Sequence, residues 1–158
     1  MQPGIDKNTN FLQPAMIKIE YPPYEPKIRT TDGNESIFDE VRKRWVVLTP
    51  EEWVRQNFLQ YLIQVKQYPA SLIAVEKEIQ QNDVKKRFDI VVYKNAAPWM
   101  IVECKEMNVP LDKKVLEQAL RYNISLQVSY IVITNGSHCY AFSCENNSLN
   151  EIDSLPAV

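Results

Sequence analysis

Three charges interrupt the two apolar runs of RFDIVVYKNAAPWMIVECK, the stretch from Arg87 to Lys105: Asp89, Glu103 and Lys105. The stretch reads as two strands, Phe88 to Tyr93 and Trp99 to Lys105, joined by a turn over Lys94, Asn95, Ala96, Ala97 and Pro98. Apolar residues on both faces of each strand are the pattern of a sheet centre covered on both sides. Strand side chains alternate, so Glu103 and Lys105 share one face while Cys104 points to the other. Pairing the strands as a hairpin places Asp89 close to Glu103 and Lys105, so that two carboxylates and an ammonium converge at one rim of a buried sheet. Charges at such positions lose hydration and persist only when paired or when they hold a metal. Two readings follow. One is a structural ion pair of Lys105 with Glu103 or Asp89. The other is a site for Mg²⁺, a hard cation that takes oxygen ligands and relieves the repulsion between carboxylates. Spacing alone does not choose between them.

The elements that must position these groups are legible on either side. Thr49-Pro50-Glu51-Glu52 opens a helix, with Thr49 as N-cap, Pro50 at the first position and Glu52 closing a capping box. It is expected to run to about Gln67 and to stop at Tyr68-Pro69. Its apolar face carries Trp53, Val54, Phe58, Tyr61, Leu62 and Val65. Ala70 to Ile79 reads as a strand on which Glu76 and Glu78 share a face; either carboxylate could point toward Asp89, although a solvated strand face accounts for both. Beyond Lys105 a loop leads to Asp112, which caps a helix to about Leu126. Gln118 and Tyr122 lie four apart on it, hence on one side. Tyr130 to Thr134 is a buried strand, Asn135-Gly136 a hairpin-type turn and Cys139 to Phe142 the return. The tail from Glu145 forms at most an edge segment. At the other end, Thr31 to Glu35 is a turn, and Ser36 to Phe38 with Trp45 to Leu48 forms a small hairpin whose tip spans Asp39 to Arg44.

Met1 to Ile28 is rich in proline and polar residues, with a short edge strand expected at Met16 to Tyr21. Its scattered apolar side chains suggest an arm that packs on the body or on a second subunit. The organisation expected is therefore an arm and hairpin over 1–48, a core over 49–144 and a tail over 145–158.

At 158 residues the chain suits one domain with a single core. No apolar run is long enough to cross a bilayer, and the polar N-terminus does not read as a signal peptide. A formal net charge of −2 leaves contact with nucleic acid to local basic patches, of which Arg42-Lys43-Arg44 and Lys85-Lys86-Arg87 are the candidates. Three cysteines without a disulfide-framework spacing fit a reducing cytosol, so a cytoplasmic location is expected. His138, Cys139 and Cys144 lack a fourth ligand and a recognised zinc spacing. Only Gly4, Gly33 and Gly136 are present and no phosphate-binding loop exists, which removes a nucleotide cofactor and ATP-driven chemistry from this chain. One histidine argues against histidine-based nucleophilic or metallohydrolase chemistry.

Asp89 followed by Glu103-Cys104-Lys105 resembles the D…ExK signature of the PD-(D/E)xK nuclease superfamily. The wording RFDIVVY…PWMIVECKE…LEQALRYN resembles more closely the N-terminal nuclease domain of type I restriction enzyme R subunits and their short stand-alone relatives, over roughly Thr49 to Phe142. Phe88 stands where the superfamily motif has proline. The resemblance implies an α/β fold of the restriction-endonuclease type: a central mixed β-sheet flanked by helices, here with an N-terminal arm and small hairpin. It implies Mg²⁺-dependent hydrolysis of DNA phosphodiester bonds, with Mn²⁺ able to substitute. Asp89, Glu103 and the backbone carbonyl of Cys104 would bind the metal, and Lys105 would orient or deprotonate water or stabilise developing charge. Gln118 and Tyr122 match the Q-x-x-x-Y motif, which would hold the DNA backbone, and Glu52 matches an acidic position on the first helix. DNA is the implied partner, with a protein partner or a homodimer through the arm as a further one. The competing expectation is a catalytically silent nuclease-fold module that binds DNA or a protein.

Overall fold

The computed structural model describes residues 15–81, 83–123, 126–146 and 148–158, without the side chains of Val84 and Tyr122. Its centre is a six-stranded mixed sheet formed by β4 (Ile73–Gln81), β5 (Val84–Lys94), β6 (Ala97–Cys104), β7 (Tyr130–Thr134), β8 (Cys139–Glu145) and β9 (Ser148–Ile152), in that spatial order. Only β6 and β7 are parallel. That pair needs a crossover, and α2 (Lys113–Asn123) supplies it. The fold is the α/β arrangement expected, a mixed sheet between helices.

Each face of the sheet has its own apolar cluster. On one side α1 (Pro50–Gln60) packs Val54, Phe58 and Leu59 against Ile90, Val92, Met100, Val102, Cys104 and Val132. On the other, Leu116, Ala119 and Leu120 of α2 cover Val91, Ile101, Ile131 and Ile133. β6 and β7 are buried throughout their central residues, which explains their unbroken apolar runs.

α1 starts as its sequence dictates: the Thr49 hydroxyl accepts the Glu52 backbone N–H at 3.0 Å, with Pro50 at the first position. The return half of the capping box is replaced, because the Glu52 carboxylate turns to arginines. The expected continuation to Gln67 takes the form of a π-helical turn over Tyr61–Val65. Asp112 caps α2 by accepting from the Val115 backbone N–H at 3.0 Å. The β5–β6 turn narrows to Asn95 and Ala96, both with positive φ, the geometry a two-residue hairpin requires.

A second sheet contains β1 (Ile28–Thr31), β2 (Asn34–Asp39) and β3 (Arg44–Val47), all antiparallel. The small hairpin was legible in the sequence and β1 was not. Met16 to Tyr21 crosses the body as an extended segment and forms no strand: the Ile17 N–H donates to Cys139 O at 2.8 Å, and the Tyr21 hydroxyl to Gly136 O at 2.7 Å. The described part of the arm thus packs on its own chain; the apolar side chains expected of it before residue 15 lie outside the described residues. No described helix is long and apolar enough to cross a membrane.

Candidate functional site

β4 and β5 change face at one rung, and this decides where the acidic groups go. On β5, Phe88 and Val91 both belong to the α2-side cluster, while Ile90 and Val92 belong to the α1 side. Strict alternation would put Phe88 with Ile90. On β4, Ile73 and Val75 pack on the α1 side, but Ile79 packs on the α2 side. The register runs Val75 to Ile90 and Lys77 to Phe88, so the break falls at Glu76 and Asp89, which face each other across it. Glu76 has a φ of 51° there, a left-handed conformation that costs a residue with a Cβ. The register is the same on both sides of that rung, so the strands turn over there without slipping and the side chains beyond it point to the opposite face.

Asp89 therefore turns toward α1. Its Oδ1 accepts from Nη2 of Arg55 at 2.5 Å and its Oδ2 from the Cys104 backbone N–H at 2.9 Å. Glu103 faces α2 instead, where its Oε1 accepts from Lys86 Nζ at 2.5 Å and from Asn123 Nδ2 at 3.0 Å. The expected convergence of Asp89 and Glu103 does not occur: helices on opposite faces hold the two carboxylates.

Arg55 is the hub on the α1 side. The same Nη2 that bonds Asp89 lies 3.5 Å from Oε1 of Glu51 and 3.5 Å from Oε1 of Glu76, while Nη1 bonds Glu52. Arg42, from the tip of the small hairpin, is a second hub. It reaches Asp39 at 2.6 Å, Glu52 at 2.8 Å and Glu76 at 3.3 Å. Gln56 donates to both Asp39 and Glu52 at 2.8 Å. Asp39, Glu52, Arg55 and Gln56 are all buried, and such burial is tolerated because every charge in the network has an opposite partner.

The electrostatics follow from that packing. Burial pushes the Asp39 carboxyl upward, but the Arg42 backbone and side-chain bonds and the Gln56 bond outweigh it and hold the group below its usual range. Burial likewise favours neutral Arg55, and its bond to Asp89 reverses that, leaving its proton held more firmly than usual. Glu51 goes the other way: burial, then the charge of Asp89, raises it, and Arg55 and Lys105 compensate only in part. Glu51 thus feels the charges of both Asp89 and Lys105. Glu51, Glu52, Arg55 and Glu76 also line a groove of about 680 Å³, whose further walls include Arg44 to Val47 of β3 and Glu106.

The residues singled out from sequence divide accordingly. Lys105 follows the end of β6, its backbone N–H bound to Thr134 O at 2.8 Å, and among the described residues its ammonium forms no ion pair. Cys104 is a buried core residue on the α1 side, its thiol pushed well up by burial. Glu52 is enclosed by Arg42, Arg55 and Gln56, whereas its neighbour Glu51 faces the groove with 48% of its side chain exposed. Gln118 is exposed on α2, and the α2 amide that reaches Glu103 is Asn123. Tyr122 lies on α2, but its side chain is outside the described residues. Glu78 is exposed and pairs with Lys85 at 3.6 Å, as a solvated face predicts, while Glu76 joins the network.

Arg55 and Asn123 went unread in the sequence; Arg42 and Lys86 were read only as members of basic patches and Asp39 only as part of the hairpin tip, whereas Arg42 is tied to Asp39, Glu52 and Glu76 and Lys86 to Glu103. The spacing of Glu51 and Glu52 to Arg55, four and three residues, was a usable signal for the first of these.

Among the described residues, no three histidine, cysteine, aspartate or glutamate side chains are grouped to hold a metal. A metal site built from Asp89, Glu103 and the Cys104 carbonyl does not fit this arrangement. Its carboxylates lie on different faces and already accept from Arg55 and Lys86.

No curated protein and no solved structure matches the chain. A family model described as the N terminus of type I restriction enzyme R proteins matches residues 50–156, from the first turn of α1 to the tail that closes over Tyr68. That span takes in both helices, all six strands of the main sheet and the Arg55 hub with Glu51, Glu52, Glu76 and Asp89, but not Arg42 and Asp39 of the small hairpin. The chain belongs to the family of type I restriction enzyme R protein N-terminal domains.

Proposed function

We propose that the chain is a restriction-type DNA endonuclease that hydrolyses phosphodiester bonds, with the α1-side groove as its reaction site. The observation that carries this reading is Lys105, an ammonium with no ion pair among the described residues, one residue beyond the Cys104 N–H that holds Asp89 and near enough for its charge to act on Glu51. A purely structural ion-pair cluster would consume that amine. Hydrolysis needs a group to take a proton from water and a cation where negative charge develops on the phosphate. Glu51 has the raised proton affinity and partial exposure suited to the first task, and Lys105 supplies the second. Asp89, fixed by Arg55 and the Cys104 N–H, positions the pair.

Asp89 and Glu103 do not form the cage of a hard cation such as Mg²⁺ or Mn²⁺, and among the described residues no other acids are grouped to hold one, so every step is assigned here to the chain's own groups. The test is nicking or linearising of plasmid with Mg²⁺ or Mn²⁺ by the parent, Asp89→Ala and Lys105→Ala. Loss in both variants supports the reading; cleavage unchanged in both removes it. Comparing Glu51→Gln with Glu52→Gln then separates the groove-facing acid from the enclosed one.

A second reading, a silent nuclease-fold module that binds DNA or a protein, is favoured by one observation: Arg55 and Lys86 already occupy the motif carboxylates. It predicts salt-sensitive retention of DNA or a captured protein, with no cleavage under either metal.

A further inference from the structure

The outer face of the small sheet offers an interaction surface outside the groove. Register pairs Arg29 with Ser36, Phe38 with Trp45 and Ser36 with Val47, so Arg29, Ser36, Phe38, Trp45 and Val47 share one side. Ile37 and Asp39, both fully buried, take the other. On the outer side the Phe38 and Trp45 rings meet edge to face, with centroids 5.5 Å apart. A cation lies over each ring: the Arg29 guanidinium 4.3 Å from the Trp45 centroid, and Lys27 Nζ 5.5 Å from that of Phe38. Val47 stays 68% exposed, so this side of the sheet is open to solvent.

The rings do something specific for those cations. A guanidinium laid on an aromatic face keeps its N–H edge outward and loses little further freedom when it bonds an anion. Among the described residues Arg29 and Arg44 form no ion pair, and Lys43 has only a loose one, at 3.7 Å to Glu40, which Lys27 shares at 3.8 Å. Asp32 sits in the far turn, Glu35 near the start of β2 points to the side of Ile37, and Asp39 is neutralised from within by Arg42. Trp45 and Val47 also line the groove; Arg44, opposite Asp39 in the register and so on the other side of β3, lines it too. Cations therefore run from Lys27 and Arg29 on this face to Arg44 at the wall of the groove.

We propose that this face binds the phosphate backbone of DNA and delivers the strand to the groove. The proposal rests on the endonuclease reading for its occupant, but it concerns binding and not cleavage. Contacts of this kind position a duplex without reading its sequence, and they weaken steeply with salt.

The experiment is fluorescence anisotropy of a labelled duplex with the full chain in EDTA, across a salt series. Arg29→Ala and Arg44→Ala change exposed residues. Each is expected to weaken binding several-fold and to lower the slope of log affinity against log salt by about one. Trp45→Leu, checked for folding by circular dichroism, should weaken binding in the same direction through Arg29. Arg121→Ala, exposed on α2, is the control and should bind as the parent does. Affinity unchanged in both arginine variants, or no binding by the parent, overturns the proposal and leaves the face to a protein partner. A parent that binds through Arg29 and Arg44 yet never cuts plasmid upholds it while the endonuclease reading falls.

Discussion

The two faces of the main sheet treat charge differently. On the α2 side one carboxylate, Glu103, lies among apolar neighbours, with an ammonium and an amide on a single oxygen. On the α1 side five carboxylates, of Asp39, Glu51, Glu52, Glu76 and Asp89, gather around the two guanidiniums of Arg42 and Arg55. The first set is matched and closed. The second holds more negative charge than its arginines neutralise and opens on a groove, with Lys105 as the further cation. Buried excess charge is costly. The difference makes the α1 side the place to test the proposed chemistry, even though half of the recognisable motif points to the other.

The strongest way to break this comparison is to remove a hub. Arg55→Ala leaves Asp89 without a guanidinium and Glu52 with that of Arg42 alone, and a buried ion pair broken from one side costs about 3–5 kcal/mol. Urea unfolding should show that loss, and Arg55→Lys should recover only part of it, since an ammonium cannot serve both carboxylates in fork geometry. A loss below about 1 kcal/mol, the scale of an exposed pair, would mean that the α1 network is superficial.

Asp39→Asn tests the same network through pH. The folded carboxyl titrates below its ordinary value near 3.8. Its stabilisation is therefore complete above that value and is lost as pH falls through the folded one. At neutral pH the variant should be less stable by about 1.5–3 kcal/mol, the scale of hydrogen bonds to a charged group. The gap should close in acid; a gap independent of pH would assign the loss to shape and not to charge. On the closed side, Glu103→Gln should cost about 1 kcal/mol, because the amide oxygen still accepts from Asn123 and Lys86 can turn to water. It should leave the pH dependence of the α1 side untouched.

Much of this was legible from sequence because local signals and tertiary structure agreed. Thr49-Pro50 begins α1, Asp112 caps α2, and the unbroken apolar runs became the buried strands β6 and β7. The site was legible as residues but not as geometry. Alternation places Asp89 and Glu103 on one face, and only the left-handed Glu76 opposite Asp89 undoes it; nothing in the residue types marks that rung. Arg55 and Asn123 were missed because their partners are assembled by packing across strands and helices. Glu52 was read for its cap and its motif position, while the neighbour that faces the groove, Glu51, has no capping role to draw attention.

The finest distinction between the two sides is therefore the smallest effect, and it has the opposite sign. Folded Glu51 holds its proton more firmly than the unfolded chain does, because burial and Asp89 disfavour its charge. Ionised Glu51 thus costs stability once pH exceeds its ordinary value of 4.5. Glu51→Gln removes that cost, so its melting temperature should lie slightly above the parent's at neutral pH, with the two converging in acid. A divalent cation that uses the carboxylate excess reverses the order, since Mg²⁺ would then stabilise the parent by mass action and the variant less. Melts with and without Mg²⁺ separate the two effects. A Glu51→Gln variant less stable than the parent in metal-free neutral buffer would show that Glu51 is needed to satisfy Arg55, and the surplus of negative charge on this side would be gone.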